Sequence, residues 1–514
     1  MSDIRSAGIE ADHEVTGREA VAAEASEADA FAALLKQSIN PTRSEARASE
    51  LDKAFDTLIG EALENADLVG SDVYETLGAM ITRIDAVLSD QVNAIIHHPT
   101  FQEIESAWRG LEYLVTHSET DANLKLKVMN VGKTELYREL ETYRGGRWDQ
   151  SPLFKEIYEA EFGQLGGQPY GALIGDYYFE KSPTDIALLR HLGKIAAASH
   201  CPFVASAGPA LLDMESWNEL SKPRDISTIL DTPDFAAWKS LRDSENSRYL
   251  GLCMPRVLSR EPYGAKSVPV EAFGFEEETD GHSGQKYAWM NAAYTYAANI
   301  NRAFKDYGWT VQIRGVNSGG EVSDLPTHAF STSDPDAGTG KMIDLKCPTE
   351  IAISDRREAE LSKAGLLPLI HRKNTDKAAF IGAQSLYRPK AYDDAEATAS
   401  DNLSSRLTYM FAVSRFAHYL KQMVRDHIGT YKERDKLQNW LQTWIYQYVD
   451  GDPRNSSDEA KAKRPLAAAQ VEVFPDEENP GYYGARFHLR PHFQLEGMDI
   501  GLSLVSKLPK SEAA

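Results

Sequence analysis

A chain of 514 residues exceeds the size at which one hydrophobic core keeps growing, so two or more domains or layers are expected. Its 42% hydrophobic and 26% charged residues exclude a wholly disordered or collagen-like chain. A net charge of -22 argues against nucleic acid as a partner, because phosphates demand a basic face.

The first residues, 1–50, are rich in Ala, Glu, Asp and Ser, with few large apolar side chains beyond Phe31, Leu34 and Leu35; they read as a flexible acidic arm. The opening MSDIRSAGIEADHE lacks a basic and apolar leader, and no window approaches the roughly 18 apolar residues of a membrane span. A cytoplasmic protein with no direct membrane insertion is expected. Residues 51–122 read as a helical region. Leu77, Ile81, Ile84, Leu88, Val92 and Ile95 recur at three- and four-residue spacings, the stripe of a long amphipathic helix. Pro99 breaks it, and Thr100 with Glu103 fits a capping box that restarts a helix. On that second helix Phe101, Ile104, Trp108, Leu111 and Val115 form a narrow seam of the kind that packs on another helix; an intramolecular core helix is the alternative.

Residues 123–386 mix β-rich runs, LKLKVMNV, CPFVASA and TVQIRGV, with helical stretches, which predicts an α/β or α+β body. YAWMNAAYTYAANINRAF, from Tyr287 to Phe304, predicts a buried helix. The polar run RPKAYDDAEATASD marks a boundary, after which residues 387–466 carry two more helices. The first holds Leu403, Leu407, Met410, Phe411, Tyr419, Leu420, Met423 and Val424, and the second Leu437, Trp440, Leu441, Trp444, Ile445 and Tyr448. From 467 to 514 the period becomes two: Ala469, Val471 and Val473, then Ala485, Phe487 and Leu489, then Met498, Ile500, Leu502 and Leu504. These strands are too few for an independent sheet, so they dock on the body or join strands from neighbouring subunits.

No catalytic, cofactor-binding or metal-ligating set emerges. VGKTEL at Val131 to Leu136 ends like a phosphate loop, but Lys127 stands where its first glycine belongs, and a helix start is expected instead. DPDAGTGK, from Asp334 to Lys341, lacks the spacing and carries acids that repel phosphate. His97 and His98 point about 100° apart on a helix and cannot share one ion easily. Cys201, Cys253 and Cys347 are far apart and odd in number, and read as buried free thiols. A metabolic enzyme with an unrecognised site is the competing class.

Two long segments carry a resemblance. AIIHHPTFQEIESAWRGLEYLV, from Ala94 to Val115, is similar to the signature of the large contractile-sheath subunit of type VI secretion systems, the TssC, VipB, EvpB or ImpC family. NPGYYGARFHLRPHFQLEGMDIGLSLVSKLP, from Asn479 to Pro509, resembles that family's closing strands, and GALIGDYYFE near Gly171 its core. The resemblance covers residues 60 to 510 and implies a phage tail sheath-like α+β core. It implies a non-enzymatic protein without cofactors that forms a helical lattice with copies of itself and a small subunit, TssB or VipA, around an Hcp inner tube. A baseplate would anchor that tube, and the unfoldase ClpV would dismantle it through the small subunit. Phe101, Ile104, Trp108, Leu111 and Val115 become candidates for the small-subunit interface, and Val471, Val473, Phe487, Leu489, Ile500 and Leu502 for a sheet shared between subunits. A tail sheath from a phage-like injection machine is the nearest alternative.

Overall fold

The structure is a computed structural model that describes residues 73–222, 225–332, 343–426, 434–475, 483–492 and 494. Its residues fall into two compact units, one joining the chain up to Phe101 with Pro262–Thr279, the other comprising Gln102–Glu261 and Asp280–Ala514.

In the first unit, helix α1 (Val73–Ile96) runs without proline until the His97–His98–Pro99 break. Helix α2 (Pro99–Thr116), which belongs to the second unit from Gln102 onward, starts with proline in its first turn, where the missing N–H costs nothing. The expected capping box is not what starts it. Thr100 already lies inside the helix, and its N–H is taken by His98 Nδ1 at 3.3 Å. α1 holds the segment Pro262–Thr279 by polar contacts. Asn93 donates to the Glu276 carbonyl at 3.2 Å and accepts from Glu278 N–H at 2.9 Å, and Asp85 accepts from Gly274 N–H at 3.3 Å.

The second unit is built on a mixed sheet. In chain order its main elements are α3 (Lys133–Thr142), β1 (Leu173–Phe179), α4 (Pro183–Ser199), β2 (Phe203–Ala207), α5 (Ala236–Arg242), β3 (Leu250–Met254), β4 (Val257–Leu258), β5 (Trp289–Met290) and α6 (Ala292–Tyr307). There follow β6 (Glu321–Val322), β7 (His328–Ser331), β8 (Ile343–Lys346), α7 (Asp355–Lys363), β9 (Leu367–His371) and β10 (Ala378–Phe380). The sheet order is β1-β2-β3-β9-β10-β6, with β1, β2, β3 and β9 parallel and β10 antiparallel to both neighbours. β2 and β3 are buried along their whole length, the mark of strands covered on both faces. Alternation sorts their side chains: Phe203, Ala205 and Leu252 meet Leu188, Leu189, Leu192 and Ile195 of α4, while Val204 and Cys253 meet Ala293, Tyr296 and Ile300 of α6.

The buried Asn291 explains why α6 begins at Ala292 and not at Tyr287 as the aromatic run predicts. Trp289 and Met290 are consumed by pairing with β4, and the Asn291 side chain then caps the helix, accepting from Ala293 N–H at 2.9 Å. Its other contacts, Ser206 Oγ at 2.6 Å and the Tyr177 carbonyl at 3.3 Å, pin the helix to the sheet. Of the three β-rich runs, CPFVASA supplies β2, but LKLKVMNV and TVQIRGV form no strand.

The chain continues through α8 (Ala395–Ser404), α9 (Leu407–Asp426), α10 (Arg434–Tyr446), α11 (Asp458–Lys463), β11 (Leu466–Pro475) and β12 (Tyr483–Pro491). Leu403 therefore belongs to α8 and not to the long helix after it, because Ser405 ends α8. The second half of α9, α10 and the β11–β12 hairpin enclose a core of Phe416, Leu420, Leu441, Ile445, Val471 and Val473. Trp309 stacks on Phe416 inside it, ring centres 4.3 Å apart. No described helix is long and apolar enough to cross a membrane.

Candidate assembly interface

α2 has two unlike faces. Gly110 lies so close to the Tyr294 ring of α6 that a β-carbon there would collide with it. Leu114 is buried with Tyr294, Ala297 and Ala298, and Leu111 and Tyr113 pack at the margin of that cluster. Glu105, on another flank of α2, pairs with Arg260 at 2.6 Å, both side chains nearly covered. The opposite face is bare. Ile104 is 55% exposed, Trp108 69% and Val115 50%, with Phe101 also exposed and Leu111 half-buried. So large an apolar stripe on an anchored helix is unusual for a single soluble chain.

α1 shows the same pattern, with Ile81, Ile84, Leu88 and Ile95 exposed at heptad-like spacing. Their three- and four-residue spacing predicts a helical stripe, and their exposure makes that stripe a further interface candidate. Their three-and-four spacing, shared with α2, was the available signal.

The terminal hairpin is arranged differently. Val471 pairs with Phe487, Ala469 with Leu489 and Val473 with Ala485. Val471 and Val473 point into the helical core, with Phe487 and Leu489 packed at its margin. The outer edge of β11 is taken by two glutamines of α10. Gln442 accepts from Val471 N–H at 2.7 Å and donates to the Ala469 carbonyl at 3.1 Å, and Gln438 accepts from Val473 N–H at 3.2 Å. Because Ala469, Val471 and Val473 turn their main-chain groups away from β12, antiparallel alternation makes Ala485, Phe487 and Leu489 turn theirs away from β11. No third strand pairs with the hairpin among the described residues. Ile500 and Leu502 lie outside the described residues.

The chemical motifs resolve into structure. VGKTEL opens α3, and Lys133 Nζ is held by Asp185 at 2.9 Å and the Tyr178 carbonyl at 2.7 Å, so its ammonium is engaged within the fold. DPDAGTGK lies outside the described residues. His97 sits 3.7 Å from the buried carboxylate of Glu277. Among the described residues no group of three or more metal-ligating side chains converges. Cys201 and Cys253 are buried, and desolvation raises both thiols above their ordinary value. Cys347 departs from the expected burial: it is half-buried, because it follows the exposed strand β8.

Comparison with known proteins agrees with this architecture. A family model described as EvpB/VC_A0108, tail sheath N-terminal domain, matches residues 78–387, and a second, the tail sheath gpW/gp25-like domain of the same family, matches residues 396–508. The type VI secretion system sheath protein TssC1 of Pseudomonas aeruginosa is 56% identical over 484 residues, covering 94% of this chain and 96% of that protein. Among solved structures, an anti-feeding prophage baseplate chain aligns at 11% identity and TM-score 0.38, covering 77% of this chain and 86% of its own. A chain of the contracted helical sheath of the same particle aligns at 11% identity and TM-score 0.27, covering 62% and 66%. Both scores are too low to bear on fold or assembly. The two matched tail sheath domains and the relative at 56% identity establish that this chain belongs to the family of type VI secretion sheath large subunits.

Proposed function

We propose that this chain is the large, non-enzymatic subunit of a cytoplasmic contractile sheath, which pairs with a small TssB- or VipA-type subunit and stacks as a helical tube around an Hcp inner tube. Contraction switches the lattice between two packings of rigid subunits and drives the inner tube outward. The baseplate anchors the tube, and the ClpV unfoldase recovers spent subunits through the small partner. The observation that carries this reading is the bare stripe of Ile104, Trp108 and Val115 on a helix whose other face is fully engaged. Together with Phe101 and Leu111 it is the small-subunit interface. The core, 123–386, and the helices of 387–466 form the rigid body.

The strands of 467–514 link neighbouring subunits. With the β11 edge closed by Gln438 and Gln442, an incoming strand adds at β12, while Val471, Val473, Phe487 and Leu489 hold the hairpin to its own helices. Ile500 and Leu502, outside the described residues, remain the sequence's candidates for that shared sheet. The test is co-expression with the small subunit, followed by electron microscopy. Long tubules with both chains, and none with this chain alone, are expected; monodisperse particles under both conditions would overturn the reading.

A further inference from the structure

The chain leaves β12 through hydrogen bonds to parts of the second unit that lie far from it in sequence. His492, the first residue past the strand, donates its N–H to the Pro465 carbonyl at 3.2 Å. Its ring Nε2 stands 2.9 Å from the Arg464 carbonyl, which has no proton to give, so Nε2–H is the donor. Leu466, the partner of the last β12 residue Pro491, is fastened in turn: it donates to the Tyr448 carbonyl at 3.2 Å and accepts from Asp450 N–H at 2.9 Å.

Gln494, two residues on, joins two further elements. Its main-chain N–H donates to the Tyr409 hydroxyl at 3.1 Å, its Nε2 donates to the Val311 carbonyl at 3.2 Å, and its Oε1 accepts from Arg314 Nε–H at 2.8 Å. A guanidinium only donates and a carbonyl only accepts, so the amide has one orientation here. The Arg314 bond is charge-assisted, and Arg314 is itself buried. Tyr409 is buried in the first turn of α9, and Val311 in the same core as Phe416. The segment that carries Val311 and Arg314 is tied to the main sheet: Gly315 N–H donates to the Phe380 carbonyl of β10 at 2.7 Å, and Phe380 N–H donates to the Gly320 carbonyl at 2.9 Å.

A strand pulled off its axis from a free end loses its ladder bonds one after another, because each pair in turn carries the whole force. A strand fastened beyond its end does not. Force on the chain past Gln494 passes first into Tyr409, Val311 and Arg314, and these three bonds, modest singly, must fail together before the Leu466–Pro491 pair is loaded. We propose that Gln494, with His492 beside it, is a positioning residue of the assembly that directs this force into the sheet and α9 and keeps the hairpin closed, a role that rests on the linking of neighbouring subunits by the strands of 467–514.

The test pulls the full chain in an optical trap, with one handle on a non-natural side chain at the exposed Ala237 of α5 and the other at residue 514. No tubule is needed, so a failure to assemble and a failure of the clamp are read separately. Gln494→Met keeps the length of the side chain and removes two of its residue's three bonds, and should open the hairpin at about half the force that the unsubstituted chain withstands. Gln494→Glu turns the Arg314 contact into an ion pair and should recover part of the difference. With the second handle moved to Glu478, in the connection between β11 and β12, the force bypasses Gln494, and all three chains should open alike. Equal forces from residue 514, no recovery in Gln494→Glu, or an equal loss from both pulling points overturns the proposal; the last would make Gln494 a residue of general stability only.

Discussion

The outward face of α2 and the outward edge of β12 are both open among the described residues, yet they would hold a partner by different chemistry. On α2 the inner residues, Gly110 and Leu114, fix the helix to α6, and the outward side chains, Ile104, Trp108 and Val115, are half or more exposed. On the hairpin the side chains are occupied inward by the α9–α10 core, and the free groups are the main-chain N–H and C=O of β12. A helical seam can therefore be removed by side-chain substitution without cost to the fold. A strand edge can be removed only through the backbone.

The largest expected effect follows on the helix. Trp108→Asp should abolish co-purification with the small subunit and all tubule formation, while the unfolding free energy measured in urea changes by less than about 0.5 kcal/mol. A stability loss above about 2 kcal/mol would show that Trp108 supports its own chain, and the contrast would break. The strand gives the sharper test. Arg486→Pro removes an N–H directed at Glu472 within the hairpin, and should destabilise the fold on the order of 3 kcal/mol. Ala485→Pro removes only an outward donor, so it should cost about 1 kcal/mol or less and still prevent assembly. Equal losses at the two neighbouring positions would refute the assignment of β12 as the open edge.

What was legible in the sequence is what depends on local period. The stripes of α1, α2, α9 and α10 and the alternation of β11 and β12 each bury or present one face, and that face repeats in the chain. Period does not say what the face meets. The seam at Trp108 reads the same whether it enters a core or lies bare, and only the collision course of Gly110 with Tyr294 decides which side of α2 is inward. LKLKVMNV alternates like a strand but pairs with no strand among the described residues, and its Lys125 and Lys127 are instead held by Gln168 and Glu161. Strand pairing is non-local, and alternation alone cannot supply the neighbour. The same holds for Gln438 and Gln442, ordinary polar helix residues until β11 lies beside them.

The buried junction between α4 and α9 offers a comparison with both open surfaces, since it should respond to pH without any partner. His418 is almost fully buried; its Nε2–H donates to the Ser199 carbonyl at 2.9 Å, and Nδ1 has no partner. Burial pushes its pKa down to about 4, with the nearby Arg415, His200 and Lys421 adding to the effect. The unfolded chain, with histidine near 6.5, then binds more protons than the folded one between about pH 6.5 and 4. Stability is therefore complete above that window and falls as pH drops through it, by up to about 3 kcal/mol at its lower end. Urea midpoints at pH 7.5 and 5.0 should show the fall. His418→Gln, which keeps a donor for Ser199, should flatten it in part, because burial also depresses His200 and His492.

The smallest effect concerns how firmly the α2 seam is held. Gly110→Ala gains about 1 kcal/mol of helix propensity but drives a methyl group into the Tyr294 ring, an overpacking that costs about 1–3 kcal/mol. A net loss near 1 kcal/mol is expected. In a Tyr294→Ala background the methyl group has room, so the same change should become neutral or stabilising, and the coupling between the two sites is the strain itself. If the strain is relieved by moving α2 outward, Gly110→Ala also displaces the exposed Trp108 stripe, the proposed partner face. Binding to the small subunit should then weaken in Gly110→Ala and recover in the double variant. Weakening without recovery would mean that Tyr294 positions the seam by more than contact with Gly110, and that the inner and outer faces of α2 are not separable.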